Sequence, residues 1–130
     1  MTSLFKETKL YLDNLFQDSW CDTQIHYAGE EFNHKELGID KWVNPFYQPL
    51  SGRIKDYCGT TVNQGNLHVV CWADTDVDAL ELADNVIAFL NTNIDSTLYR
   101  IQNFEIADHG WNESNQVYVV ITFSIEVLAR

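Results

Sequence analysis

Two periods organise the hydrophobic positions of this chain, and the contrast between them predicts its elements. From Ser3 to Phe16, Leu4, Thr8, Tyr11, Leu12 and Leu15 recur at three- and four-residue steps, and Phe5 and Phe16 widen the stripe. That spacing predicts a helix, with Thr2 or Ser3 as its N-cap. The same period returns from Asp76 to Leu90, where Val77, Leu80, Ala83, Val86, Ile87 and Leu90 mark the expected core face of a second helix. Asn91 or Asn93 is placed to take a left-handed position at its C-terminal end.

Elsewhere the period is two. Thr23, Ile25 and Tyr27 predict a short strand that ends at Gly29. "KWVNPFYQPL" reads as a strand, but Pro45 has no amide donor, so it belongs at an edge, a bulge or a break, and Pro49 is expected to end it. "NLHVVCWA", from Asn66 to Ala73, is apolar at nearly every position, which predicts a strand buried on both faces. "TLYRIQNFEIAD" and "NQVYVVITFSIEVLA" predict two long strands, joined by a turn from His109 to Ser114. In the last of them, Val117, Val119, Ile121, Phe123, Ile125 and Val127 are expected to face the core. Residues Glu30 to Asp40 read as a polar loop, and Ser51 to Gly65, with three glycines, as a long loop or a floppy hairpin end.

The order is α-β-β-β-α-β-β. It defines an α+β fold, with a mostly antiparallel or mixed sheet and two main helices packed on it. A length of 130 residues fits a single domain spanning the whole chain. No apolar run is long enough to cross a bilayer, and the N-terminus, alternating charged and apolar residues, does not resemble a signal peptide. Cys21, Cys58 and Cys71 are odd in number and lack CxxC spacing, so they are expected to be free thiols in a reducing cytoplasm, with Cys71 buried in a strand. The net charge of −11, with eight basic residues, argues against a grip on nucleic acid.

"CWADTDVDALELADNVIAFL" carries Asp74, Asp76, Asp78, Glu81 and Asp84 and raises the question of a calcium loop. An EF-hand loop starting at Asp74 needs Gly at its sixth position and Glu at its twelfth, where this chain has Ala79 and Asn85. Capping by Asp74, Thr75 or Asp76, with the other carboxylates favoured by the helix dipole, accounts for the cluster instead. His26, His34, His68 and His109 fall on different elements, and no phosphate loop or nucleophile motif is present. His68 is expected to be a hydrogen-bonded strand residue. The expectation is therefore a protein without catalytic, cofactor or metal residues. Aromatic residues in or beside irregular segments point instead to an interface. Its candidates are Trp42, Phe46, Tyr47, Tyr57 and Trp111, with Arg53 and Lys55 available to pair with carboxylates of a neighbouring subunit.

The order of these segments resembles the tail terminator (tail completion, tail-to-head joining) proteins of tailed phages, of the lambda U type. The resemblance runs through "LFKETKLYLDNLF", "KWVNPFYQPLSGR", "GNLHVVCWADTDVDALELADNVIAFL" and "HGWNESNQVYVVITFSIEVLAR". Its most specific piece is the helix with Leu80, Leu82, Ala83, Asp84, Val86 or Ile87, and Leu90. The resemblance implies a virion structural protein at the head-proximal end of the tail, assembled in the host cytoplasm. It implies a ring of identical subunits, a hexamer in that family, that caps the tail tube, stops its polymerisation and meets the head connector. DNA would pass through the lumen without sequence-specific binding, with no cofactor and no membrane. A head-completion or neck protein, or a small cytosolic binding module, remains the alternative.

Overall fold

The computed structural model describes residues 4–20, 23–25, 40–55, 61–112 and 116–127, with backbone alone for 4, 50–55 and 61–63. Helix α1 spans Leu4–Ser19 and helix α2 spans Asp76–Asn93. The strands are β1 (Gln24–Ile25), β2 (Trp42–Lys55), β3 (Thr61–Ala73), β4 (Tyr99–Trp111) and β5 (Val117–Val127). They form one sheet in the order β1-β2-β3-β5-β4. Only β1 and β2 run parallel. β3 and β4 both run antiparallel to β5, which lies between them, and α2 makes the crossover that connects them. The α+β class and the element order are those the periodicities predict.

Both helices cover one face of the sheet. α1 packs over β2, and α2 packs over β3 and β5. Thr8, Leu12 and Phe16, at four-residue steps, are fully buried along α1. Phe16, Trp20 and Phe89 join the two helices, with ring centroids 5.0 to 6.1 Å apart. Beneath them lie Val43 and Tyr47 of β2, then Leu67, Val69, Cys71 and Ala73 of β3. Val119, Ile121, Phe123, Ile125 and Val127 of β5 complete the floor, so the alternation expected of the last strand is present. The second face of β3, carrying Asn66, His68, Val70 and Trp72, is only half-covered rather than buried.

The core face of α2 differs from the one its apolar pattern predicts. Ala79, Leu82, Ala83, Val86, Phe89 and Leu90 are buried, while Val77 and Leu80 are exposed. Two alanines let the helix sit close to the strands, and a stripe read from large side chains alone is displaced around the axis. Thr75 is the N-cap, its hydroxyl accepting from the Asp78 amide at 3.2 Å. The C-terminal end uses no left-handed asparagine. Ile94 is extended, and its N–H donates to the Leu90 carbonyl.

Three strand boundaries also move. Pro49 does not end β2, which continues to Lys55 after an irregularity between Pro49 and Arg53. The expected loop from Ser51 to Gly65 is thereby largely strand: Arg53, Ile54 and Lys55 pair with Asn63, Val62 and Thr61. β2 tolerates its prolines because β1 covers its outer side only at Trp42 and Val43 among the described residues, leaving the rest an edge. His109, Gly110 and Trp111, expected in a turn, belong to β4.

Candidate functional site

The sequence-predicted interface residues do not gather in one place. Trp42 is buried in β2, not exposed in a loop, and stacks on Trp72 with centroids 5.6 Å apart. Trp72 in turn meets Tyr118 at 5.2 Å, so one aromatic row crosses β2, β3 and β5 on the face away from the helices. Tyr47 points the other way, into the core, where its ring lies flat over Gly65; a Cβ there would stand 2.5 Å from the tyrosine hydroxyl. That hydroxyl has no hydrogen bond of good geometry. Burial raises the phenol pKa, Tyr99 adds to the rise, and the nearby Thr8 offsets part of it. These two corrections share one cause: the aromatics sit in a regular strand, so alternation sends neighbours to opposite faces.

Phe46 is exposed and stacks on His68 at 6.4 Å. Nε2 of His68 lies 2.9 Å from Gln48 Oε1, and Nδ1 lies 2.9 Å from the Thr122 hydroxyl. An amide oxygen only accepts, so Nε2 donates and Nδ1 accepts from Thr122, a tautomer inferred from the network. Both nitrogens are engaged, and the ring serves as a cross-strand link. Arg53 and Lys55 lie at the far end of β2, and Tyr57 falls outside the described residues. Trp111 is 75% exposed at the end of β4.

Trp111 belongs to a larger feature that sequence reasoning missed. Two register shifts in β4, between Ile101 and Asn103 and between Ile106 and Asp108, each insert one residue against β5. With them, Tyr99, Ile101, Phe104, Ile106, His109 and Trp111 all stand opposite core-facing residues of β5. The signal was present in the sequence as apolar or aromatic spacings of two, three, two, three and two. α2 does not reach over this row. Phe104 and Ile106 are 46% and 51% exposed, and Val77 and Leu80 of α2 are 72% and 41% exposed. His109 fixes the geometry: its Nε2 lies 2.5 Å from Asp76 Oδ1 in the first turn of α2. Leu80, four residues after Asp76, shares that side of the helix. An apolar groove therefore runs between α2 and the edge strand, and Asp76, bonded to His109, borders it; Glu105 and Asp108 stand opposite Thr122 and Val120, on the other face of β4.

Cys71 is buried, and burial pushes its thiol up to about 12, far from a reactive thiolate. Tyr118 donates to Asp108 at 3.2 Å, and the negative charge of Asp108 raises its phenol pKa. Among the described residues, no three His, Cys, Asp or Glu side chains are grouped to hold a metal ion. No family model matches this chain, and no curated protein matches it.

Proposed function

We propose that this chain is a structural subunit that assembles into a ring, caps a phage tail tube and provides the surface for joining the head. One observation carries the reading. A domain with a net charge of −11 leaves five large apolar side chains, Val77, Leu80, Phe104, Ile106 and Trp111, uncovered on α2 and β4. Grouped exposure of that kind marks a surface meant to be covered by protein. The element order and the family resemblance supply the identity of the assembly. An acidic lumen suits the role, because DNA slides past it without counterion-releasing contacts.

The test is electron microscopy of the purified protein added to polymerising tail tubes. Capped tubes of defined length, with one ring at the end, are expected. Tubes that elongate unaffected, with the protein recovered instead on head connectors, would assign it to the neck.

A further inference from the structure

The two edges of the sheet differ in their fitness for a further strand. On one side, β1 pairs with β2 only at Trp42 and Val43 among the described residues. Beyond them β2 carries Pro45 and Pro49, four residues apart, so their backbone nitrogens point the same way. A proline in a paired strand turns its nitrogen to the open side, so this edge lacks two donors where an added strand would need them. On the other side lies β4, which contains neither proline nor lysine. No strand pairs with its outer side among the described residues, and every residue from Gln102 to His109 is exposed. Its bulges at Gln102 and Ala107 leave residues 103–106 in regular phase between them. A second copy of the chain therefore offers one proline-free edge to meet this one, its own β4.

We propose that β4 pairs antiparallel with β4 of a second copy, across a two-fold axis at Phe104. Backbone hydrogen bonds then carry the sheet from one subunit into the next. Charge selects the register. With the two bulge residues passed over, a ladder centred on Phe104 sets Arg100 opposite Asp108, Ile101 opposite Ile106 and Phe104 opposite its own copy. Arg100 and Asp108 share the face away from the helices, since their partners on β5 are Glu126 and Val120. Centring on Glu105 or Ile106 would set carboxylate against carboxylate, which destabilises a pair. Centring on Asn103 would end the ladder at Ile106 instead of His109. Arg100 is 62% exposed, with its guanidinium 3.9 Å from Glu126. Asp108 accepts from Tyr118 and from the His109 amide, and a carboxylate has room for about four such bonds. The contact is isologous and closes at two copies, so it neither builds a ring nor depends on tube capping. Val77 and Leu80 of α2, and Trp111, stay outside the ladder.

Charge reversal tests it. Arg100→Glu and Asp108→Arg each set like charges opposite one another twice, because the axis repeats every pair. Both residues are exposed, so each variant should melt like the parent. Phe104→Lys, which brings two positive charges to the axis, replaces either one that does not. In analytical ultracentrifugation the parent should run as a dimer, and each variant alone should dimerise at least about tenfold more weakly. Mixed at equal concentration, the two reversal variants should form a heterodimer about as tight as the parent. In that pair the new glutamate of one chain faces the new arginine of the other, and native Arg100 faces native Asp108. Outward-facing amides of residues 103–106 should exchange with solvent at least about tenfold more slowly in the parent than in Arg100→Glu.

A parent that stays monomeric at every concentration overturns the proposal. So does a folded reversal variant that dimerises like the parent, or a mixture of folded variants that stays monomeric. Tube capping by the parent is scored separately. A protein that caps tubes, but whose reversal variants associate like the parent, keeps its proposed function and loses this contact. One that pairs through β4 and ignores tubes keeps the contact and loses that function.

Discussion

β5 and β4 are neighbours in one sheet, and both present apolar side chains to the helix side. Along β5 those residues are sealed: Val119, Ile121 and Phe123 have no exposure. Along β4 their partners in register, His109, Ile106 and Phe104, are exposed. Hydrophobic pattern is not the difference. α2 packs over β3 and β5 and stops short of β4, so one row is core and the next is surface. Periodicity tells which residues share a face, and the placement of the covering helix decides whether that face is dry.

The sharpest test of this contrast is a pair of identical truncations on paired residues. Phe123→Ala should cost about 3–5 kcal/mol, as a fully buried phenylalanine does. Phe104→Ala, opposite it and with ring centroids 5.9 Å apart, should cost about 1 kcal/mol or less, since half its surface is already in water. Chemical denaturation of both variants checks the pair. Equal losses would mean that α2 or another segment covers β4 in solution.

The same logic applies within α2, where sequence reasoning placed Leu80 in the core. Leu82→Ala should cost about 2–5 kcal/mol, while Leu80→Ala should change thermal stability by only about 0.5–1 kcal/mol. If Leu80 proves the costlier of the two, the helix is rotated from the orientation described.

What was legible from sequence, and what was not, follows from these two elements. β5 has an unbroken two-residue alternation, and every residue assigned to its inner face is there. β4 has the same alternation broken twice by bulges at Gln102 and Ala107, so its apolar residues change phase and no single template fits them. In α2 the buried line passes through Ala79 and Ala83, whose small side chains carry little weight in a pattern of large apolar residues. Pro45 and Pro49 hid the length of β2, because a proline signals a break until the strand is known to be an edge. Of the candidate site, Phe46 and Trp111 are exposed. The groove beside Trp111 requires knowing where α2 stops, which is a tertiary fact.

Two glycines beneath tyrosine rings extend the comparison to smaller effects. Gly65→Ala would drive a Cβ to 2.5–2.7 Å from three ring atoms of the buried Tyr47. The ring is hemmed in by the core, so about 1–3 kcal/mol of overpacking is expected. Gly110→Ala meets the Tyr118 hydroxyl at 2.9 Å, but that side chain stands at the open face and can swing away. Its cost should be well below that of the first. Thermal melts of the two variants side by side decide whether the two sites differ in this way.

The dry centre of the sheet should also show in alkaline solution. Burial pushes the Cys71 thiol from 9.0 to about 12. Between those values the unfolded chain loses the proton and the folded chain keeps it, so the unfolded state binds fewer protons and stability falls as pH rises. The loss attributable to Cys71 should begin near pH 9 and approach about 1 kcal/mol per pH unit, and Cys71→Ala should remove that part of the slope. A variant with an unchanged alkaline slope would show that the thiol is reached by water.

The smallest expected effects lie at the acidic turn that starts α2, beside the open groove. Thr75 caps the helix through its hydroxyl, so Thr75→Ala should cost about 1 kcal/mol. Asp76 and Asp78 sit in the first turn, where the helix dipole favours negative charge, and Asp76 also holds His109 of β4. These roles account for the carboxylates without a bound cation. Ala79 lies within α2, in helical conformation, at the position where an EF-hand loop needs a sharply turning glycine. Calcium should therefore leave the melting temperature of the parent unchanged. The measurement is a melt with and without micromolar calcium, repeated on Asp76→Ala. A saturable rise in the parent that disappears in the variant would replace the capping account with a metal loop. It would also place a calcium site at the rim of the groove, where Asp76 meets His109.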